Sequence, residues 1–264
     1  MADEPKTRWV NGAAYEAYIG RWSRVAAREF LHWLAVPAGL RWLDIGCGTG
    51  ELTKAIVETQ SPSGVVGIDP SEGFIAFARA HSSDERVAFD VGDATSLPYS
   101  QEEFDAVVSG LVLNFVPAPA RALPGMARVT RPEGIVAAYV WDYADKMEMI
   151  RYFFDVAVAL DPSAAEVDEG PRFRICNPER SEIFQSAGLR GVETRAIDVP
   201  TQFRGFDDYW TPFLAGTGVA PAYVVSLPEG KRAALRERLR ETLPIAQDGS
   251  ISLIARAWAV KGRT

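Results

Sequence analysis

The chain has 264 residues, 47% of them hydrophobic and 24% charged, which are the proportions of a packed globular protein rather than a disordered one. Its net charge of −7 argues against a general nucleic-acid binder, which needs a basic surface to displace counterions from phosphates. Two cysteines, Cys47 and Cys176, and two histidines supply neither a disulfide framework nor a four-ligand zinc site, so a metal-free, cytoplasmic protein is expected.

The first residues, MADEPKTRW, lack the apolar stretch of a secretory signal. The longest apolar run, Ile135 to Trp141, is far below the ~20 residues that span a bilayer, so no membrane partner is expected. In chain order, Val25, Ala26, Phe30, Leu31 and Leu34 recur at helical spacing, with Ser23 as the expected N-cap. Arg41 to Ile45 is an apolar run closed by glycines and reads as a buried strand. Glu51 to Thr59 reads as a helix, Val65 to Ile68 as a strand, and Glu72 to Ala80 as a helix. Arg86 to Val91 and Phe104 to Ser109 follow as strands, Ala118 to Thr130 as a helix, and Ile135 to Trp141 as a fifth strand.

Short apolar strands alternating with helices predict a parallel sheet covered on both faces. Beyond it, Met147 to Leu160 and Pro178 to Ala187 are helical candidates, and Gly191 to Val199 a strand. A charged helix starts at Glu229, and Ile251 to Val260 is the last strand. The expected architecture is one α/β domain over 1–264 with a doubly wound, mostly parallel, seven-stranded Rossmann-like sheet. It comprises an N-terminal helical lid (1–36), a core (37–142), helical caps inserted at 143–187 and 204–245, and final strands at 188–203 and 246–264.

The chemistry concentrates in Leu43-Asp44-Ile45-Gly46-Cys47-Gly48-Thr49-Gly50, where a strand runs through three alternating glycines into a helix. Glycines there permit positive φ and close approach to a ligand, and the helix start leaves N–H groups unpaired. Asp69 closes the next strand, nineteen residues after Gly50, where a carboxylate can accept both hydroxyls of a ribose. The spacing is G-x-G-x-G, and Glu51 stands where a dinucleotide fingerprint has its third glycine. A carboxylate there repels a pyrophosphate, and no Gly-Lys-Ser/Thr marks a P-loop. The loop therefore suits a ribose-bearing ligand without phosphates.

LDIGCGTG, the downstream Asp69, the segment Val91-Gly-Asp93-Ala94 and the strand Phe104 to Ser109 together resemble class I S-adenosylmethionine-dependent methyltransferases, most closely the small-molecule group called type 11. The resemblance covers roughly residues 15 to 142. It implies transfer of a methyl group from S-adenosylmethionine to a small-molecule acceptor, with S-adenosylhomocysteine as product. It implies that Gly46, Cys47, Gly48 and Gly50 border the methionine part of that cofactor and that Asp44 orients its amino group. Asp69, followed by Pro70, would bind the ribose, and Asp93 and Ala94 the adenine. Ser109, Gly110 and Leu111 would line the methyl-transfer face. Tyr15, Tyr18 and Arg21 resemble a lid, with Arg21 facing the cofactor carboxylate. No Asn/Asp-Pro-Pro-Tyr/Phe follows the fourth strand, as amino-methylating DNA enzymes have, and Asn114 stands where many small-molecule relatives carry a histidine.

Asp142 and Tyr143, at the end of the fifth strand, are the candidate catalytic proton acceptors, and Phe153, Phe154, Tyr209, Trp210 and Phe213 could wall an apolar acceptor pocket. Each feature also has a plainer account. Asp44 could cap the glycine loop, Asp69 could merely end a strand, and the cap aromatics could be core. Cys47 reads as a small loop residue rather than a nucleophile, since no histidine neighbours it. Two further readings share the motif: a cofactor-binding protein without transfer activity, and an enzyme using the same cofactor for other chemistry.

Overall fold

The computed structural model describes residues 16–116, 118–171 and 173–264, and the side chains of all of these except Glu16 and Ala17. Its strands are β1 (Arg41–Ile45), β2 (Gly64–Asp69), β3 (Val87–Val91), β4 (Phe104–Gly110), β5 (Thr130–Trp141), β6 (Arg190–Phe203) and β7 (Ile251–Arg263). Its helices are α1 (Arg21–Leu34), α2 (Glu51–Gln60), α3 (Glu72–His81), α4 (Pro119–Val129), α5 (Glu148–Leu160), α6 (Ser181–Ser186), α7 (Phe206–Trp210), α8 (Val219–Ser226) and α9 (Glu229–Thr242). The strands form one sheet in the order β3-β2-β1-β4-β5-β7-β6. Pairing is parallel from β3 through β5 and antiparallel between β5 and β7. The doubly wound α/β sheet predicted from the alternation is what forms.

The burial patterns explain the order. In β1, β4 and the second half of β5, consecutive residues are buried, as strands covered on both faces require. In β7 and the second half of β6, buried and exposed residues alternate, the mark of a strand with one covered face. The α4 face carrying Ala122, Leu123, Met126 and Val129 packs into the same core as Leu43, Val107 and Val136.

The chain separates into two compact units. One holds Arg24–Trp141, Arg174–Ile197 and Ala257–Thr264, and with them the glycine loop. The other holds the stretch ending at Ser23, together with Asp142–Phe173 and Asp198–Arg256. Residues 174–187, expected in a cap, belong to the sheet unit, because Ile175, Cys176 and Phe184 are buried in its main core.

Local differences from the sequence reading have local causes. Ser23 does not cap a helix. The chain is already wound as a π-helical turn over Glu16–Gly20 and continues directly into α1, so there is no free helix start to cap. The Ser23 hydroxyl instead donates back to Ile19 O (3.3 Å). The segment from Pro178 splits into a 3₁₀ turn, Pro178–Arg180, and the short α6. Strand β5 begins at Thr130, five residues early, because Thr130 pairs with Phe104 across an irregularity in the ladder. His81 falls in the last turn of α3, with Nδ1 2.9 Å from Phe77 O and its ring stacked on Phe77.

In the second unit the aromatic residues are committed to one another. Phe213 stacks on Phe153 (centroids 4.7 Å, planes 8° apart) and meets Tyr18, Tyr209 and Trp210 at 5.3–6.1 Å. Phe153, Phe154, Tyr209, Trp210 and Phe213 are all buried, and the Tyr209 hydroxyl donates to Met149 O (2.9 Å). These rings form this unit's core, which replaces the expectation that they wall an acceptor pocket. Helix α9 is the solvated helix its sequence suggests: Leu235 and Leu239 are buried, while Arg236 and Arg240 lie over the Phe206 ring and pair with Asp207 and Glu237. Replacing Phe213 with alanine is expected to cost roughly 3–5 kcal/mol, since it removes the shared partner of four rings. The shift of the denaturant midpoint measures it. A shift no larger than that of a surface substitution would contradict this packing.

Candidate functional site

The site grows from the end of β1. Gly46 and Cys47 both donate their backbone N–H to Ile68 O, at 2.7 and 3.1 Å, which bends the loop over the end of β2. Gly46 has φ +71°, and a Cβ placed there would stand 2.3 Å from Val112 Cγ1, so two independent constraints require glycine. Gly48 (φ +54°) faces open space on its Cβ side, and Gly50 (φ +93°) starts α2 in the left-handed conformation without any side-chain cap. Beyond β4, Leu111 adopts φ +61° and donates its N–H to Tyr139 O (2.8 Å), a strained non-glycine conformation at a strand end.

Asp69 braces this loop from β2. Its Oδ2 accepts from Gly48 N (3.0 Å) and its Oδ1 from Ser71 N (2.9 Å). Burial raises its pKa, and the two N–H donors oppose that rise. Each oxygen retains lone pairs, so ribose recognition remains open to it, but its first task is to hold the loop. Pro70, next in sequence, is exposed.

Asp44 is 1% exposed. The Thr53 hydroxyl of α2 donates to its Oδ2 (2.7 Å), while Oδ1 is buried with no hydrogen-bond partner. Burial pushes its pKa up to about 7; Thr53 pulls it down, and the Asp69 charge adds to the rise. Cys47, packed with Ile75, Ala78 and Phe89, has its thiol pushed far upward by burial and by Asp44 and Asp69, which leaves it protonated and packed.

Asp93 is exposed, and its Oδ1 accepts from Thr95 N and Oγ1 (2.6 and 2.7 Å), which lowers its pKa. Ala94 lies partly buried against the main core. Ser109 is wholly buried, with its hydroxyl on Ile45 O (2.9 Å), so its side chain braces β4 to β1 and lines no open face. Gly110 is close-packed, since a Cβ there would stand 2.9 Å from both Leu52 Cδ2 and Tyr139 Oη.

The remaining expected residues fall in the other unit. Tyr15 lies outside the described residues. Tyr18 is buried, edge-on to Phe213 at 5.4 Å. Arg21 pairs with Asp208 through Nη1 (3.4 Å) and lies over the rings of Trp22 (4.2 Å) and Phe203 (5.0 Å), while its Nε and Nη2 are buried without partners. Asp142 and Tyr143 are also buried. The Asp142 backbone accepts from Met147 N and donates to Arg256 O, and the Tyr143 carbonyl accepts from Arg151 Nη1 (2.9 Å). Two residues escaped the sequence reading: Thr53, and Asn114 as an acceptor whose Oδ1 is buried without a partner in the turn after β4. For Thr53 the available signal was a hydroxyl on the buried face of α2.

These details test the cofactor that the resemblance implies. The backbone N–H groups of Gly46, Cys47, Gly48 and Gly50 are all engaged within the loop and its strand neighbours, so they form no nest for a pyrophosphate. The orphaned, buried Asp44 oxygen instead calls for a hydrogen-bond donor, and best a cation. The amino group of S-adenosylmethionine fits that requirement. Among the described residues no cluster of His, Cys, Asp or Glu could hold a metal ion, and no helix is long and apolar enough to cross a membrane.

The sheet order, the glycine loop after β1 and the acidic residues ending β1 and β2 agree with the resemblance to class I methyltransferases. Residues 43–138 match the family model described as a methyltransferase domain, so this part of the chain is similar to that family. Among curated proteins it is 36% identical over 114 residues to a demethylmenaquinone methyltransferase of Lactobacillus johnsonii, a match covering 41% of this chain and 47% of that protein. It is 30% identical over 161 residues to a malonyl-[acyl-carrier protein] O-methyltransferase of Methylococcus capsulatus, covering 56% of this chain and 57% of that one. The chain thus spans about half the length of these relatives. A solved structure of the Haemonchus contortus phosphoethanolamine N-methyltransferase 2, in complex with S-adenosylhomocysteine, shares the fold at TM-score 0.63 and 16% identity, covering 98% of this chain and 59% of that one.

The Asp44 geometry sets a pH-dependent stability. Its carboxyl titrates near 7 in the folded cofactor-free protein and near 3.8 when unfolded. Between those values the folded state holds a proton that the unfolded state has lost, so this group's contribution to stability falls as pH rises from about 4 to about 7. Asp44→Asn stays neutral throughout. Its melting temperature relative to wild type is therefore expected to rise between pH 5 and pH 8. Parallel melting curves across that range would overturn the reading.

Proposed function

We propose that this chain transfers a methyl group from S-adenosylmethionine to a small-molecule acceptor by in-line displacement. The observation that carries the reading is the buried Asp44 carboxylate with one unpaired oxygen, two residues before a loop whose glycine N–H groups are already engaged. When bound, S-adenosylmethionine supplies a sulfonium-activated methyl group, so the protein's part is orientation and exclusion of water. Asp44 holds the amino group, Asp69 the ribose, and Asp93 with Ala94 the adenine. Gly46, Gly48 and Gly50 keep the loop thin enough for close approach.

A small molecule as acceptor is supported by the relative named for demethylmenaquinone, and a small acyl group by the one named for malonyl-[acyl-carrier protein]. Their difference from each other leaves the acceptor's class at that level. For a hydroxyl acceptor, Asp142 or Tyr143 takes the proton; amines and thiolates need less help.

Calorimetric titration of cofactor-stripped protein with S-adenosylmethionine and S-adenosylhomocysteine tests the core of this reading. One-to-one binding is expected, weakened about tenfold or more by Asp69→Ala, which releases the Gly48 and Ser71 N–H groups. Absence of binding by folded wild-type protein would refute it. With an acceptor in hand, product mass separates methylation, which adds one CH₂, from other chemistry on the same cofactor. Asp142→Asn is then expected to slow turnover of a hydroxyl acceptor about a hundredfold while leaving S-adenosylhomocysteine affinity unchanged. Unaltered turnover would remove Asp142 from the role.

A further inference from the structure

Thr53 shares helix α2 with Thr59, and the two hydroxyls behave differently. The Thr59 hydroxyl makes the ordinary helical bond back to Ala55 O, four residues earlier (2.7 Å). The Thr53 hydroxyl leaves its own helix and donates to Asp44 Oδ2 on β1 (2.7 Å). Both side chains of this pair are buried, Thr53 and Asp44 each at 1% exposure. A carboxyl group on a short side chain is free to rotate about its last bond. A hydroxyl anchored in a helix fixes which oxygen is engaged and which is left over.

We propose that Thr53 is a positioning residue that, by holding Asp44 Oδ2, leaves Oδ1 as the single oxygen presented to the amino group of the cofactor. This rests on the function proposed above and deepens it, since it assigns how the amino-acid end of the ligand is recognised. Thr53 touches no reacting atom; it acts through Asp44. The titratable groups acting on Asp44 are Asp69, at the end of β2, and the Cys47 thiol of the loop. Neither brings positive charge, so the pairing cation comes with the ligand. From β4, the residue in register with Asp44 is Val108, which does not titrate.

The pH dependence follows with a definite sign. The ligand's ammonium pairs with ionised Asp44, so affinity increases as pH rises through about 7 and then levels off. The Thr53 hydroxyl favours the ionised carboxylate. Removing it moves the midpoint of this rise to higher pH.

The experiment is calorimetric titration between pH 5.5 and 8.5 of wild type, Thr53→Val and Thr53→Ser. Two probes are used: S-adenosylhomocysteine, and 5′-methylthioadenosine, a thioether nucleoside that lacks the amino-acid end. Thr53→Val keeps the side-chain shape and is expected to weaken S-adenosylhomocysteine about tenfold at pH 7 and to shift its pH midpoint upward. Affinity for 5′-methylthioadenosine is expected to stay unchanged, which also reports that the variant is folded. Thr53→Ser restores both affinity and midpoint. Equal weakening of the two probes at every pH would make Thr53 merely structural, and an unchanged S-adenosylhomocysteine profile would remove it from recognition. If wild type binds neither probe, the cofactor reading itself fails, an outcome distinct from both.

Discussion

One carboxylate holds the working end of this sheet together. Asp69 closes β2 and accepts a backbone N–H on each oxygen, from Gly48 in the loop after β1 and from Ser71 at the start of α3. Its carbonyl accepts from Gly92 after β3 as well (3.1 Å). Three strand ends are thereby tied to one residue. Charge-assisted bonds to backbone donors are the stronger kind, and within a partly desolvated site they are not readily exchanged for water. The loop's glycines take up their left-handed conformations without steric cost, and this brace and the Ile68 carbonyl fix their path.

The rest of the sheet unit exists to place those strand ends at one level. Doubly covered strands β1 and β4 carry buried residues on both faces, and the Ser109 hydroxyl fixes β4 against Ile45 at the point where β1 gives way to the loop. Gly67 on β2 leaves room for the Cys47 sulfur and the Phe89 ring, which a Cβ would meet at 2.9 and 2.7 Å. At Gly46 and Gly67 loop and sheet are thus packed to contact distance, and a substitution there propagates into the loop rather than being absorbed beside it.

What was legible in the sequence follows the physics that writes it. Strands β1, β2 and β4 were readable to within a residue or so because double burial demands an unbroken apolar run. Strands β6 and β7, at the antiparallel end of the sheet, run longer than their apolar segments suggest. Their exposed faces carry Asp198, Gln202, Ser252 and Arg256, which an apolar criterion reads as loop although Asp198 and Arg256 form an ion pair (2.6 Å). The three glycines, Asp44 and Asp69 were legible as one loop between two strand ends, which the structure brings together. The path of Arg21 and the mutual packing of Phe153, Tyr209 and Phe213 could not be read the same way. Aromatic residues look alike in sequence whether they line a pocket or fill a core, and only three-dimensional contact separates the two. Thr53 was hidden for a related reason: a threonine on a helix usually bonds its own backbone.

The charge at this sheet end bears on the kind of ligand it suits. Asp44 and Asp69 are both shifted toward the neutral form by burial, and each makes the ionisation of the Cys47 thiol harder. A second anion brought to this place, such as a pyrophosphate, would face the same repulsion, and the N–H groups of Gly46, Cys47, Gly48 and Gly50 are already engaged. A ligand carrying an ammonium and a sulfonium relieves it. Release of the methyl group removes the sulfonium charge and leaves the thioether product one positive charge poorer. Under the proposed function, the same acidic residues would attract the product less strongly than the cationic cofactor. Burial of these two carboxylates would thereby favour a ligand that brings more positive charge over one that brings less.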